Sequence, residues 1–404
     1  MRRLGAVLLV FLLALGLAAC GSGSGDDGGD DSSSGAGSSE PITLGFAIGE
    51  TGFMAAYDGP ARTVAEFAID DYNAKGGVDG RELKVVSADM KSKPELSGDA
   101  ATEVLSDGAD IVVTSCDFDM GSPAGIVAQE EGVLAFSTCA ASTSFGPTGI
   151  GPLAFTMASA AGSFGSTMAE WAYEKKGFEN AFVMIDDTLE FCKQSGYGFS
   201  KRWEELGGKL GGEATFKQED QSIASQINEI KAADPDVIYL TSYLPGLAGA
   251  VKQIRAAGID VPILSDEDID GEAWKDAVPG LSEVYFATSA SIYGDDPEQK
   301  INEVLDRYQK EEGKLPEFAS FLTGYAMVEA IATAVEGAEG STEGTALQEQ
   351  LETFKNEPLL LPTTFTDEYH ITLDRTLRVM EIQDGKTSFV ETWTPEVTPI
   401  PEGA

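Results

Sequence analysis

Short apolar runs alternate with helical patterns along most of the chain. ITLGFAI (42–48) is followed by a helix beginning near Pro60, where Ala61, Val64, Ala65, Ala68 and Tyr72 recur on one face. The pair Gly76-Gly77 stops it. RELKVVSAD, a helix around Glu95 to Leu105, DIVVTS, a helix from Pro123 and VLAFST continue the series. Ser122 before Pro123 predicts a helix start, an N-cap oxygen ahead of a residue whose missing N–H costs nothing in a first turn. After residue 160 a second series follows: AFVMID, GEATFK, DVIYLTS, VPILSD and EVYFATS, separated by helical stretches. Continuous apolar strands between helices predict parallel sheets covered on both faces. Two series predict an α/β fold of two doubly wound lobes.

The first forty residues differ in kind. Arg2 and Arg3 precede GAVLLVFLLALGLAA, an apolar core too short and too near the N-terminus for a typical spanning helix. Leu17-Ala18-Ala19-Cys20 resembles the lipobox of bacterial lipoproteins, in which the peptide is cut before the Cys and the thiol takes lipid. Residues 1–19 are therefore expected to be a signal peptide and Cys20 a lipid anchor outside the cytoplasmic membrane. The acidic Gly/Ser stretch that follows, to residue 40, holds almost no apolar side chain and reads as a disordered tether.

Charge removes one class of partner. The chain carries 27 Lys plus Arg against 67 Asp plus Glu. Nucleic acid needs a basic footprint, so it is not expected as a partner. A single histidine, His370 in FTDEYHITL, leaves no His-rich metal cluster and little material for a Ser-His-Asp triad. Phosphate-loop, nucleophile-elbow and dinucleotide fingerprints are also missing after the strands. No enzyme activity, metal or cofactor is expected.

In open α/β sheets the ligand lies beyond the carboxyl ends of the strands. The segments there are GETGFMAAYDGP, TSCDFDMGSP, STCAASTSFGP, DDTLEFCKQSGYG, TSYLPG and SDEDIDGEAW. They mix aromatics, hydroxyls and carboxylates, which suits a small polar ligand with an apolar part.

Three segments carry a resemblance: AIDDYNAKGGVDGRELKVVSAD (68–89), ADIVVTSCDFDMGSPAGIVAQEEGVLAFS (109–137) and DVIYLTSYLPGLAGAVKQIRAAGIDVPILSDE (236–267). In this order they resemble the type I periplasmic substrate-binding proteins of branched-chain amino acid ABC transporters. The resemblance implies two lobes, joined by a three-segment hinge, closing over one ligand without chemistry. It implies a small-molecule ligand, an ABC permease as partner and a monomer. Lobe one is expected over 42–158 plus 288–365, and lobe two over 159–287 plus 366–395, including LRVMEIQDG and TSFVETW. A sensor of the same fold without a permease is the alternative.

By position, the resemblance places Tyr57 beside the ligand, Ala140 and Ser142 of CAAST at its carboxylate, Phe191 and Tyr243 around its body, and Glu267 at its ammonium. The turn Cys116, Asp117, Phe118, Asp119, Met120 departs from the pattern, since many relatives have Ser or Thr there to hold a carboxylate. Lys193 is the one cation in the post-strand segments that could offset these acids. Either backbone alone holds a carboxylate and the acids face solvent or cap the helix, or the ligand's polar end is neutral or cationic. Cys116 and Cys139 end successive strands and fit a disulfide or two buried thiols equally. A link from either to Cys192 would tie the lobes together and is not expected.

Overall fold

The computed structural model describes residues 40–272 and 274–401. Cys20, the leader and the tether lie outside the described residues.

The first sheet contains β1 (Ile42–Ile48), β2 (Leu83–Asp89), β3 (Ile111–Thr114), β4 (Leu134–Ser137) and β5 (Ala154–Thr156), all parallel, in the order β2-β1-β3-β4-β5. Helices α1 (Ala55–Asn73), α2 (Pro94–Ser106) and α3 (Phe118–Glu130) connect its first four strands. The second sheet holds β6 (Asn180–Asp186), β7 (Lys209–Phe216), β8 (Val237–Thr241), β9 (Ile263–Ser265) and β10 (Val284–Thr288), in the order β7-β6-β8-β9-β10. Its helices are α4 (Ala161–Trp171), α5 (Glu190–Glu205), α6 (Ala224–Ala233) and α7 (Gly246–Ala256). Both five-strand cores thus have the same winding, and each leaves a crevice at the carboxyl ends of its central strands.

Burial explains the strand patterns. The central strands β3 and β8 are buried at every residue, because helices cover both faces. At the edges, β12 (Lys386–Trp393) alternates exposed and half-buried residues. It pairs antiparallel with β11 (Leu377–Gln383), which pairs antiparallel with β10, so a hairpin extends the second sheet to seven strands. The sequence pattern places both hairpin strands here but does not reveal their direction.

Helices α8 (Gln299–Glu312), α9 (Thr323–Gly337) and α10 (Gly344–Leu351) follow β10 yet bury Ile301, Leu305, Met327, Ile331 and Leu347 in the core under the first sheet. The chain therefore passes between the two halves three times. Buried Arg375 ties the first and third passages together, donating to the carbonyls of Met157 (2.8 Å) and Pro362 (3.0 Å) and to Ser159 Oγ, Thr363 Oγ1 and Thr372 Oγ1. Nearby, Arg378 grips Asp296 with two bonds of 3.0 Å.

Two helix starts differ from the sequence expectation. α1 begins at Ala55 and α3 at Phe118, each a turn ahead of Pro60 and Pro123. Asp117 is the reason in α3: its side chain accepts the Met120 N–H at 3.1 Å and starts the helix before Ser122 can. Each proline then sits inside the helix, where it forgoes one backbone bond.

Close helix approach fixes two further parts of the site. A Cβ at Gly165 in α4 would overlap the Ser195 carbonyl of α5, and one at Gly324 in α9 would overlap the Ala61 carbonyl of α1. The first sets α5, which carries Phe191 and Gln194, against α4. The second draws the turn that begins at Phe318 onto α1, which carries Tyr57.

Candidate functional site

The turns at the carboxyl ends of the two sheets meet each other. Tyr243, after β8, donates from Oη to Asp117 Oδ2 at 3.0 Å across the gap between sheets. The Glu190 N–H, at the head of α5, donates to Asp119 Oδ2 at 3.0 Å. Gln194 completes the junction: its Nε2 donates to Ser142 Oγ at 3.0 Å, and its Oε1 accepts the Thr143 N–H at 3.3 Å. Both acids of the unusual turn are therefore built into the protein rather than turned to solvent. Asp117 caps its own helix and joins the halves.

Rings fill the space behind these bonds. Tyr57 stacks on Phe318 with centroids 4.4 Å apart and lies 5.6 Å from Tyr243, which lies 5.7 Å from Phe191. All four are buried. The Tyr57 hydroxyl has no hydrogen-bond partner. Burial, and after it the Asp268 charge, pushes that hydroxyl well above its ordinary pKa.

Carboxylates crowd the same region. Asp58 Oδ2 accepts the Gly49 N–H (2.7 Å) and Ser115 Oγ (2.8 Å), while its Oδ1 accepts the Cys116 N–H (2.7 Å). Burial dominates these bonds and raises Asp58 to about 7. Asp117 is raised to about 6 by burial and then by the Asp119 charge, against the Met120 and Tyr243 bonds. Asp266, bonded by Ser195 Oγ at 2.7 Å, is raised to about 6 by burial. Asp268 is pushed well above the carboxylate range by burial first, then by Asp266, Glu267 and Asp117. Its Oδ2 is buried and without a partner.

Several sequence expectations are relocated by this geometry. Glu267 accepts from Ser289 Oγ at 3.3 Å, beside the passage that leaves β10, and burial followed by the Asp266 charge raises it to about 8. After burial, the Asp268 charge acts most on Tyr57, and on Tyr243 it follows that of Asp117. Phe118 turns its ring to the helices outside the first sheet, packing with the cluster around Ala88, Ala101 and Phe145, so it does not join Tyr57. The Ala140 N–H is taken by Ser137 Oγ at 2.9 Å, and Ser142 Oγ by Gln194. Lys193 pairs with Glu190 at 3.6 Å, half-exposed, and offsets no buried acid. A disulfide joins Cys116 to Cys139, Cα atoms 4.5 Å apart, behind the aromatic group; Cys192 is a buried free thiol.

Phe318, Gln194 and Asp268 had no part in the sequence reading. Asp268 and Gln194 stand in the post-strand segments and were open to that reading, whereas Phe318 precedes a helix and follows no strand. A cavity of about 430 Å³ lined by Ile185, Lys193, Tyr197 and Lys201 lies on the outer side of α5 and does not include the rings.

Two α/β halves with ligand-type side chains on facing turns is the architecture of a protein that closes on a solute. Residues 41–387 match the periplasmic binding protein family. The chain belongs to that family. Among relatives, the leucine-, isoleucine-, valine-, threonine- and alanine-binding protein of Pseudomonas aeruginosa is 25% identical over 318 residues, 78% of this chain and 84% of that one. The leucine-specific-binding protein of Salmonella typhimurium is 26% identical over 277 residues, 67% of this chain and 72% of that one.

Solved structures agree on the fold. The substrate-binding protein of a Streptococcus pneumoniae branched-chain amino acid transporter, in complex with isoleucine, superimposes with a TM-score of 0.75 at 24% identity, covering 88% of this chain and all of that one. A Rhodopseudomonas palustris solute-binding protein holding 3,4-dihydroxybenzoic acid gives 0.72 at 18% identity, covering 89% and 99%. This periplasmic binding protein is thus a solute-binding protein that works outside the cytoplasm.

Proposed function

We propose that the chain is the lipid-anchored receptor of an ABC importer. It captures a small polar metabolite, an amino acid or a related amine or amide, between lobe one (42–158 plus 288–365) and lobe two (159–287 plus 366–395). It acts as a monomer tethered through Cys20 and hands the ligand to a permease. Tyr57, Phe191 and Tyr243 enclose the ligand's body, Phe318 extends the ring wall, and the Cys116–Cys139 disulfide braces the turn behind it.

One observation carries this reading: the hydrogen bonds of Tyr243 to Asp117 and of Gln194 to Ser142 join post-strand turns of opposite sheets. Bonds of this sort exist only while the halves are together, so they belong to a closure equilibrium that a ligand can shift. Catalysis is not part of the reading. His370 is buried, stacks on Phe155 at 3.7 Å, bonds the Ala154 carbonyl at 2.9 Å and has its pKa lowered by burial.

A thermal-shift screen of the purified chain against amino acids, amides, amines and carboxylic acids tests it. A ligand at a hundred times its dissociation constant stabilises the chain by about 2.7 kcal/mol. At least one class is expected to do so and to shrink the radius of gyration in solution scattering. Stabilisation by none of them would refute the reading.

A further inference from the structure

We propose that the ligand of this cleft is a small organic cation without a carboxylate, its charge held between the Tyr57 and Tyr243 rings and the Asp268 carboxylate. This rests on the solute-binding reading above and names the ligand class for the same cleft.

Several donors that could receive a carboxylate are already used, the buried Thr143 hydroxyl being one that is not. At the head of α3, a helix start that would suit an anion, the Asp117 side chain takes the Met120 N–H and the Tyr243 hydroxyl. The Cys116 N–H goes to Asp58 and the Ala140 N–H to Ser137. Among the described residues, no Lys, Arg or His pairs with Asp58, Asp117, Asp266 or Asp268; the buried Arg202 and Arg378 pair with Glu170 and Asp296.

What the cleft offers instead suits a positive charge. Asp268 is 4% exposed and its Oδ2 has no partner, an arrangement that costs free energy until a cation or donor meets it. The Tyr57 oxygen, on a residue 9% exposed, is a second acceptor without a partner. Tyr57, backed by its stack on Phe318, is grouped with the tilted rings of Tyr243 and Phe191, and ring quadrupoles attract desolvated organic cations. Among the described residues, no three His, Cys, Asp or Glu side chains converge as metal ligands, so the geometry favours an amine, amidinium or quaternary ammonium over a metal ion.

Matched probes test this with the full chain purified in detergent and titrated calorimetrically. Leucine, 3-methylbutylamine and 4-methylpentanoate share a side chain and differ in charge; choline and glycine betaine share a trimethylammonium group, and only betaine carries a carboxylate. The amine or choline is expected to bind at least tenfold more tightly than its carboxylate-bearing counterpart. Asp268→Asn is expected to weaken that binding at least tenfold and to leave the melting temperature of the ligand-free chain equal or higher, since it removes a buried carboxyl oxygen that has no partner. Tyr57→Phe, which deletes only the hydroxyl, should weaken the primary amine more than choline, which has no N–H.

Binding of leucine or betaine at least as tight as that of the amine or choline overturns the charge assignment and leaves the solute-binding reading standing. The same holds if only 4-methylpentanoate binds, or if Asp268→Asn binds cations as the parent does. Failure of all five probes overturns the inference as well; the solute-binding reading falls with it only if the wider screen above is also blank.

Discussion

Replacing Tyr243 with Phe removes one oxygen, and that oxygen makes a bond that exists only when the two halves meet. It donates to Asp117 Oδ2 at 3.0 Å, between residues that are 5% and 2% exposed. In an open form both groups face water and lose nothing by the substitution. A net hydrogen bond to a charged partner contributes about 1.5–3 kcal/mol. The closure equilibrium should therefore move toward the open form by about 10- to 150-fold, and the affinity of any ligand that selects the closed form should fall by a similar factor. Single-molecule energy transfer between dyes on the two halves reads the first quantity, and calorimetry the second.

The control is Asp117→Asn, because Asn caps a helix about as well as Asp and α3 should keep its start. A double-mutant cycle with Tyr243→Phe then isolates the bond, with an expected coupling of about 1.5 kcal/mol or more. An unchanged distance distribution together with coupling near zero would refute the argument that this bond holds the halves together.

Three further outcomes are expected. Burial raises Asp58 and Asp270 to about 7, Asp117 and Asp266 to about 6 and Glu267 to about 8, all above the values of an unfolded chain. The folded protein then binds more protons than the unfolded one, so stability is greatest in acid and declines as pH rises through about 6–8. Each group still protonated only in the fold adds a slope of about 1.4 kcal/mol per pH unit, and His370, lowered by burial, opposes it as a single group below its unfolded value. Urea midpoints at pH 5, 6.5 and 8 should fall in that order; a rise with pH would contradict the assignment. Reducing Cys116–Cys139, whose sequence separation is 23, should cost about 3 kcal/mol in the chain-entropy account, with a loss under about 1 kcal/mol in denaturation with and without reductant counting against it. Phe318→Leu keeps most of the volume and loses the 4.4 Å stack on Tyr57, so stability should fall by about 0.5–1.5 kcal/mol along with ligand affinity. Unaltered affinity would remove Phe318 from the site.

Much of the scaffold was readable because burial on both faces writes a simple signal. IVVT and VIYLT are apolar without interruption, and both are central parallel strands. β5, the three residues AFT, escaped the reading. The starts of α1 and α3 were misplaced because a proline is a strong mark of a first turn, while the Asp117 cap, a weaker mark in sequence, governs the start in space. The site was legible in proportion to how locally each residue is placed. Tyr57 and Tyr243 stand in segments that follow strands, and the family resemblance singled them out there. The family resemblance singled out Glu267, and its neighbour Asp268 is the buried acid whose Oδ2 has no partner. The tight turn over Glu267–Ile269 brings Glu267 to Ser289 and leaves the Asp268 Oδ2 buried without a partner, a distinction no pattern of residue types carries. Phe318 reaches Tyr57 only through the approach of α9 to α1 at Gly324, which is a property of the packed chain.

The acids of the turn after β3 also bear on how closure and charge are coupled. In an open cleft, Asp117, Asp266 and Asp268 can be hydrated, and their mutual repulsion is screened. Bringing the halves together removes that water, and burial is the first cause of every raised value among them. A ligand bearing a carboxylate would add to this repulsion: two like charges about 5 Å apart, at an effective dielectric of about 20, oppose each other by about 3 kcal/mol, or some two decades of affinity. A cation reverses the sign of the same interaction and gives the unpartnered Asp268 oxygen its counter-charge. Closure without a cation therefore has to proceed by protonating the acids, and closure with one does not. For that reason the ligand-free chain should close more readily at pH 5 than at pH 8, while the cation-bound chain should lose much of that dependence.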